Sequence, residues 1–153
     1  MTSDGPTEAQ LSAIYQELIL DHFRRPRNKG ELDAPNAQTA RRKNPLCGDE
    51  LALSLAFDAD DRVTDARFTG HGCSISQASA SMLTQAIRGK SRGEVEALLG
   101  RFKAMVHGDA AAADDEALGE LRALSGVARF PTRIRCATLV WSALAELLAA
   151  ERR

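Results

Sequence analysis

Along the chain, apolar positions recur first at helical and then at strand spacing. Leu11, Ile14, Tyr15, Leu18, Ile19 and Phe23 trace one face of an amphipathic helix. Thr7-Glu8-Ala9-Gln10 forms a capping box ahead of it, and Pro26 ends it. Residues 38–42 read as a first strand. Leu51, Leu53, Leu55 and Phe57 then alternate with smaller residues, the pattern of a half-buried strand. Asp58-Ala59-Asp60-Asp61 makes a turn, and residues 62–68 return as the second arm of a hairpin, with Thr64, Ala66 and Phe68 on one face. Beyond the hairpin the spacing is helical again. Ser76 reads as the N-cap of a helix over residues 76–88 closed by Gly89, and its small residues Ala78-Ser79-Ala80-Ser81 permit close approach of another backbone. Ser91-Arg92-Gly93-Glu94 is a second capping box, followed by Val95, Leu98, Leu99, Phe102 and Val106 on one face. Residues 110–126 carry Leu118, Leu121 and Leu124 as a short helix. Pro131-Thr132 opens a last helix striped by Cys136, Leu139, Val140, Ala143, Leu144, Leu147 and Leu148. The expected class is α+β, a small antiparallel sheet with helices packed against it.

Composition narrows this picture without redirecting it. The 153 residues, 44% hydrophobic and 27% charged, suit a single domain over 1–153 with a sizeable core. A net charge of −1 argues against a dedicated nucleic-acid binder. Residues 1–6 are polar and no apolar signal region follows them, and the longest apolar run, 137–150, is interrupted by Ser142 and Glu146 and is too short to span a bilayer. A cytoplasmic protein with no membrane partner is expected. Three cysteines, an odd count, suit a reducing compartment better than a disulfide framework.

The chemistry gathers at Asn44-Pro45-Leu46-Cys47-Gly48-Asp49. Pro45 restrains the backbone, Gly48 allows a sharp bend, and a thiol and a carboxylate stand two residues apart. Such a pair is half of a site for a borderline metal such as zinc. Cys73, in Gly70-His71-Gly72-Cys73, precedes a helix whose N-terminal dipole favours a thiolate. Cys136 begins a buried stripe, an ordinary core position that becomes a ligand candidate because Cys47 and Cys73 need a partner. Arg24, Arg25, Arg27 and Lys29 cluster past the first helix, either complementing its C-terminus or forming a docking patch.

Five segments together resemble the IscU/SufU iron–sulfur assembly family: 15–23 (Tyr-Gln-Glu-Leu-Ile-Leu-Asp-His-Phe), 26–30 (Pro-Arg-Asn-Lys-Gly), 44–49, 70–76 (Gly-His-Gly-Cys-Ser-Ile-Ser) and 133–139 (Arg-Ile-Arg-Cys-Ala-Thr-Leu). The resemblance spans residues 11–148 and implies a small antiparallel sheet with the cysteines converging at one end. Scaffold-type IscU members carry a His directly before the last cysteine, where this chain has Arg135, and a Leu-Pro-Pro-Val-Lys motif, where it has Phe130-Pro131-Thr132-Arg133-Ile134. Residues 108–126 are similar to the insertion of the SufU branch. The resemblance thus implies Zn2+ held by Cys47, Asp49, Cys73 and Cys136, with an iron–sulfur cluster as the alternative cofactor. Cys47 would accept sulfur from a cysteine desulfurase of the SufS type and pass it towards a downstream cluster scaffold. Arg133 and Arg135 would offset the negative charge of the ligand set, and His71 is expected as a surface residue. The alternatives are a cluster scaffold of the IscU type and a structural zinc module that only binds a partner.

Overall fold

The alternating leucines at 51, 53 and 55 drive the central strand, because burying one side of a pleated ribbon demands a two-residue period. The computed structural model describes residues 8–45 and 48–150. Its elements are α1 (Glu8–Arg24), β1 (Gln38–Asn44), β2 (Asp49–Phe57), β3 (Val63–His71), α2 (Ser74–Ile87), α3 (Arg92–Val106), α4 (Ala110–Ala113), a 3-10 segment (Glu116–Arg129) and α5 (Pro131–Ala150). The strands form one antiparallel sheet in the order β1-β2-β3. This is the α+β architecture expected, with α5 packed on β1 and β2 and α2 packed on β3. No helix among the described residues is long and apolar enough to cross a membrane.

Leu51, Leu53 and Leu55 are buried as anticipated. Thr64 is not on the inner face. The pairing shifts between Ala56 and Phe57, so Phe57 opposes Val63 and Thr64 is the extra residue of a bulge, exposed while Val63 turns inward. The α5 stripe is buried along its length, and Trp141, off that stripe, is buried too, stacked on Phe102 with ring centroids 4.1 Å apart. The small residues of α2 do admit a second backbone: the Ser79 hydroxyl donates to the Ala137 carbonyl at 2.6 Å and accepts from Trp141 Nε1 at 3.0 Å.

Three other expectations need correction. First, the N-cap of α2 is Cys73, not Ser76. The helix starts earlier, and the Ser76 hydroxyl turns back to donate to the Cys73 carbonyl at 3.0 Å. Second, the α1 face is narrower than its periodicity suggests. Tyr15, Leu18 and Ile19 are partly buried, but Leu11, Ile14 and Phe23 are exposed, and the buried centre of the face is His22. Its Nε2 lies 2.7 Å from Glu120 Oε1 and its Nδ1 2.7 Å from Ser81 Oγ, joining α1 to α2 and to the 3-10 segment. Third, residues 110–126 do not form one helix. Asp109 and Asp115 each cap a new start, and the run beyond Glu116 is 3-10. Leu118, Leu121, Leu124 and Val127 are spaced by three and all buried, the period of a 3-10 rather than an α-helix. The capping box at Ser91 and Glu94 is formed as expected, whereas that at Thr7 lies outside the described residues.

Candidate metal centre

Three chain segments converge at one end of the sheet. Asn44 and Asp49 are paired across the β1–β2 hairpin, and Gly48, at φ +73°, donates its N–H to the Asn44 carbonyl at 2.9 Å to close the connecting loop. Asp49 is therefore held by the sheet ladder and is fully buried. Cys73 lies two residues beyond β3, where its backbone both leaves the sheet and caps α2. Cys136 sits in the second turn of α5, buried on the stripe that packs against the sheet.

Ligand atoms of Asp49, Cys73 and Cys136 all lie within 4.8 Å of one another. Neither Cys73 nor Cys136 is in a disulfide. Asp49 Oδ1 accepts the backbone N–H of Cys73 at 2.9 Å, and Oδ2 is 3.9 Å from Cys73 Sγ. The orientation of this carboxylate is thus set by the start of α2, and its second oxygen is the one turned towards sulfur. Ser76, fully buried, places its hydroxyl 3.8 Å from Cys73 Sγ. A carboxylate and two thiols at this separation fit a borderline cation such as zinc, whose tetrahedral sites take oxygen and sulfur donors. Cys47, the fourth expected ligand and two residues before Asp49 in the sequence, lies outside the described residues.

The thiols open into a cavity of about 320 Å³ lined by Asn44, Cys73, Ile75, Thr132, Arg133 and Cys136. Arg133 thus stands beside the candidate ligands, its guanidinium 5.2 Å from the centre of the exposed Phe130 ring. Arg135 is exposed and is not part of this lining. A second, largely apolar cavity of about 370 Å³ between α1, the 3-10 segment and α5 shares Ile75 and Arg133 with the first. His71 is exposed, with Nε2 3.9 Å from Glu50 Oε1. In the basic cluster, Arg25 and Arg27 pair with Asp21, and Lys29 donates to Gln77 Oε1, so most of its charge is tied into the fold. Sequence reading included Asn44 and Gly72 in the two motifs without giving either a role, and read Ser76 only as an N-cap.

Comparison with known proteins identifies the family of the chain. The model of the NifU-like N terminal domain matches residues 14–137. The zinc-dependent sulfurtransferase SufU of Bacillus subtilis (strain 168) is 45% identical over 144 residues, covering 94% of this chain and 95% of that protein. The iron–sulfur cluster assembly scaffold protein IscU of Streptococcus pyogenes serotype M1 is 44% identical over 140 residues, covering 92% and 86%. A crystal structure from Fervidobacterium islandicum AW-1, described as a candidate assembly scaffold for the SUF system, superimposes with a TM-score of 0.73 at 34% identity, covering 89% of this chain and 97% of that one. With a family model over most of its length, two relatives above 40% identity and a matching solved structure, the chain belongs to the IscU/SufU/NifU N-terminal family.

Proposed function

We propose that this protein is a zinc-dependent sulfur carrier that accepts persulfide sulfur from a cysteine desulfurase of the SufS type and hands it to iron–sulfur cluster assembly. The observation that carries the reading is the convergence of Asp49, Cys73 and Cys136 at the base of the loop that bears Cys47. The relative named a zinc-dependent sulfurtransferase, 45% identical over nearly the whole chain, points the same way. Zinc bound here would hold the thiols as thiolates at neutral pH. Cys73 and Cys136 are fixed by α2 and α5, which suits them to hold, and this leaves Cys47 as the sulfur acceptor.

The Cys47 thiolate attacks the terminal sulfur of the donor's cysteine persulfide. The new bond forms between Cys47 Sγ and that sulfur, the donor's S–S bond breaks, and the donor cysteine leaves as a thiolate, so no external oxidant or reductant is needed. Arg133, at the mouth of the thiol cavity, offsets negative charge as the anionic donor approaches. The second carrier-side partner is a cluster scaffold that takes the sulfur onward. Reduced thiols suit the cytoplasm as the place of action.

The test is desulfurase turnover with this protein present, followed by mass measurement of the acceptor. Cys47→Ser is expected to abolish stimulation while keeping the fold and part of the zinc, because water can fill the vacated position. Asp49→Ala should fall between Cys47→Ser and the parent protein, because it loosens the site but keeps the attacking sulfur. Sulfur on Cys73 or Cys136, with full activity in Cys47→Ser, would show that the loop thiol is a ligand only.

A second reading, a cluster scaffold, is favoured by the 44% identity to a protein named IscU scaffold. Anaerobic loading with iron and sulfide separates the two: a stable stoichiometric chromophore supports the scaffold. Arg135→His alone is expected not to create one, since the 3-10 segment stays in place.

A further inference from the structure

Gly72 stands between the last residue of β3 and Cys73. Its backbone is not among the positive-φ glycines, so nothing in the local conformation calls for glycine there. Space does. A Cβ on residue 72 would come within 2.9 Å of Asp49 Cγ and 2.5 Å of Ser76 Oγ, and nearer still to Asp49 Oδ1, distances that real Cβ atoms do not show. The same Asp49 Oδ1 accepts the Cys73 N–H at 2.9 Å. The carboxylate thus rests in the notch left by the missing side chain, where the next residue's amide can hold it.

We propose that Gly72 is the positioning residue that makes Asp49 a metal ligand. The notch admits the carboxylate, the Cys73 amide takes Oδ1, and Oδ2 is left turned towards the thiols. Any side chain at 72 collides with both the Asp49 carboxylate and the Ser76 hydroxyl. The Ser76 hydroxyl can turn aside about its single side-chain bond, but Asp49 is met at both Oδ1 and Cγ, so the whole carboxylate has to leave the notch and its aim at the site is lost. The inference rests on the metal-binding half of the reading above and is independent of sulfur transfer.

Zinc affinity by competition with a chromophoric chelator, and the absorption spectrum of the cobalt-substituted protein, test it. Gly72→Ala should weaken zinc binding by about 10–100-fold, the usual effect of removing an orienting contact behind a ligand. The thiolate-to-cobalt charge-transfer bands should persist, while the ligand-field bands shift as they do in Asp49→Ala. In the Asp49→Ala background, Gly72→Ala should change affinity by less than about twofold, because the group it displaces is gone. Wild-type affinity in Gly72→Ala overturns the proposal, as do fully additive losses. Recovery in Gly72→Ala/Ser76→Ala would place the crowding on Ser76 and also overturn it. If Gly72→Ala alone does not fold, folding of Gly72→Ala/Asp49→Ala supports the proposal and its failure to fold overturns it. Sulfur transfer can fail in the parent protein without touching any of these outcomes, whereas absence of zinc and cobalt binding by the parent sinks both readings.

Discussion

A fully buried carboxylate is costly unless its charge is met, and Asp49 is met on one oxygen by a backbone amide and on the other side by sulfur. Asp49 and Cys73 stood out as candidates beside glycines and a helix start, whereas Cys136 was an ordinary core position that became a candidate only through the other cysteines. The role of Gly72 was not legible, because a glycine's reason can be torsional or spatial and only coordinates distinguish the two. His22 presents the same contrast. It follows Leu18 by four and Ile19 by three, so its place on the apolar stripe was readable, but its partners Ser81 and Glu120 are 59 and 98 residues away. The Arg27 backbone N–H also donates to Ser81 Oγ, so the group links α1, its C-terminal turn, α2 and the 3-10 segment. His22→Ala should destabilise the protein by about 1–3 kcal/mol, since it orphans a buried hydroxyl as well as opening space. Urea unfolding of metal-free protein checks this; a loss below half a kcal/mol, on the order of a surface substitution, would mean the network is slack.

At the level of elements, capping chemistry was the most transferable signal. Ser91 N–H donates to Glu94 Oε1 at 2.9 Å and Glu94 N–H to Ser91 Oγ at 3.2 Å. The Glu94 carboxyl is held below its ordinary 4.5, first by the Ser91 backbone N–H and then by the Ser91 hydroxyl. A carboxyl lowered in the folded state contributes stability that is fully present above the ordinary value and lost as pH falls through the lowered one. Unfolding measured from pH 7 down to pH 3 should therefore show a smaller acid-side loss in Glu94→Gln than in the parent; parallel curves would refute this contribution. The 3-10 segment was misjudged because a three-residue repeat of leucines satisfies a loose helical template. Its break at Gly119, φ 53° and ψ −128°, lies where a side chain is strained. Gly119→Ala should cost about 1–3 kcal/mol, measured by thermal or urea unfolding.

Across the whole molecule, the candidate centre ties together the start of β2, the β3–α2 junction and the second turn of α5, parts that are far apart in sequence and distinct in the fold. A ligand that binds only the folded state stabilises it by mass action. The protein purified without chelator is expected to hold about one zinc per chain, and chelation should lower its thermal midpoint. That shift should disappear in Cys136→Ser and shrink in Cys47→Ser; equal midpoints with and without chelator in the parent would exclude a bound metal that supports the fold. The sequence by itself determined the strands through two-residue alternation, the helices through their stripes and caps, and the types of ligand atom through the chemistry of cysteine and aspartate. These are local properties, written within a turn or a hairpin. Only the tertiary structure decided that Thr64 is bulged outward, that His22 is the buried heart of α1, and that Asp49, Cys73 and Cys136 meet within 4.8 Å. Each of these depends on how sheet and helices stack, and the distance between residues 49, 73 and 136 is set by that packing rather than by any spacing along the chain.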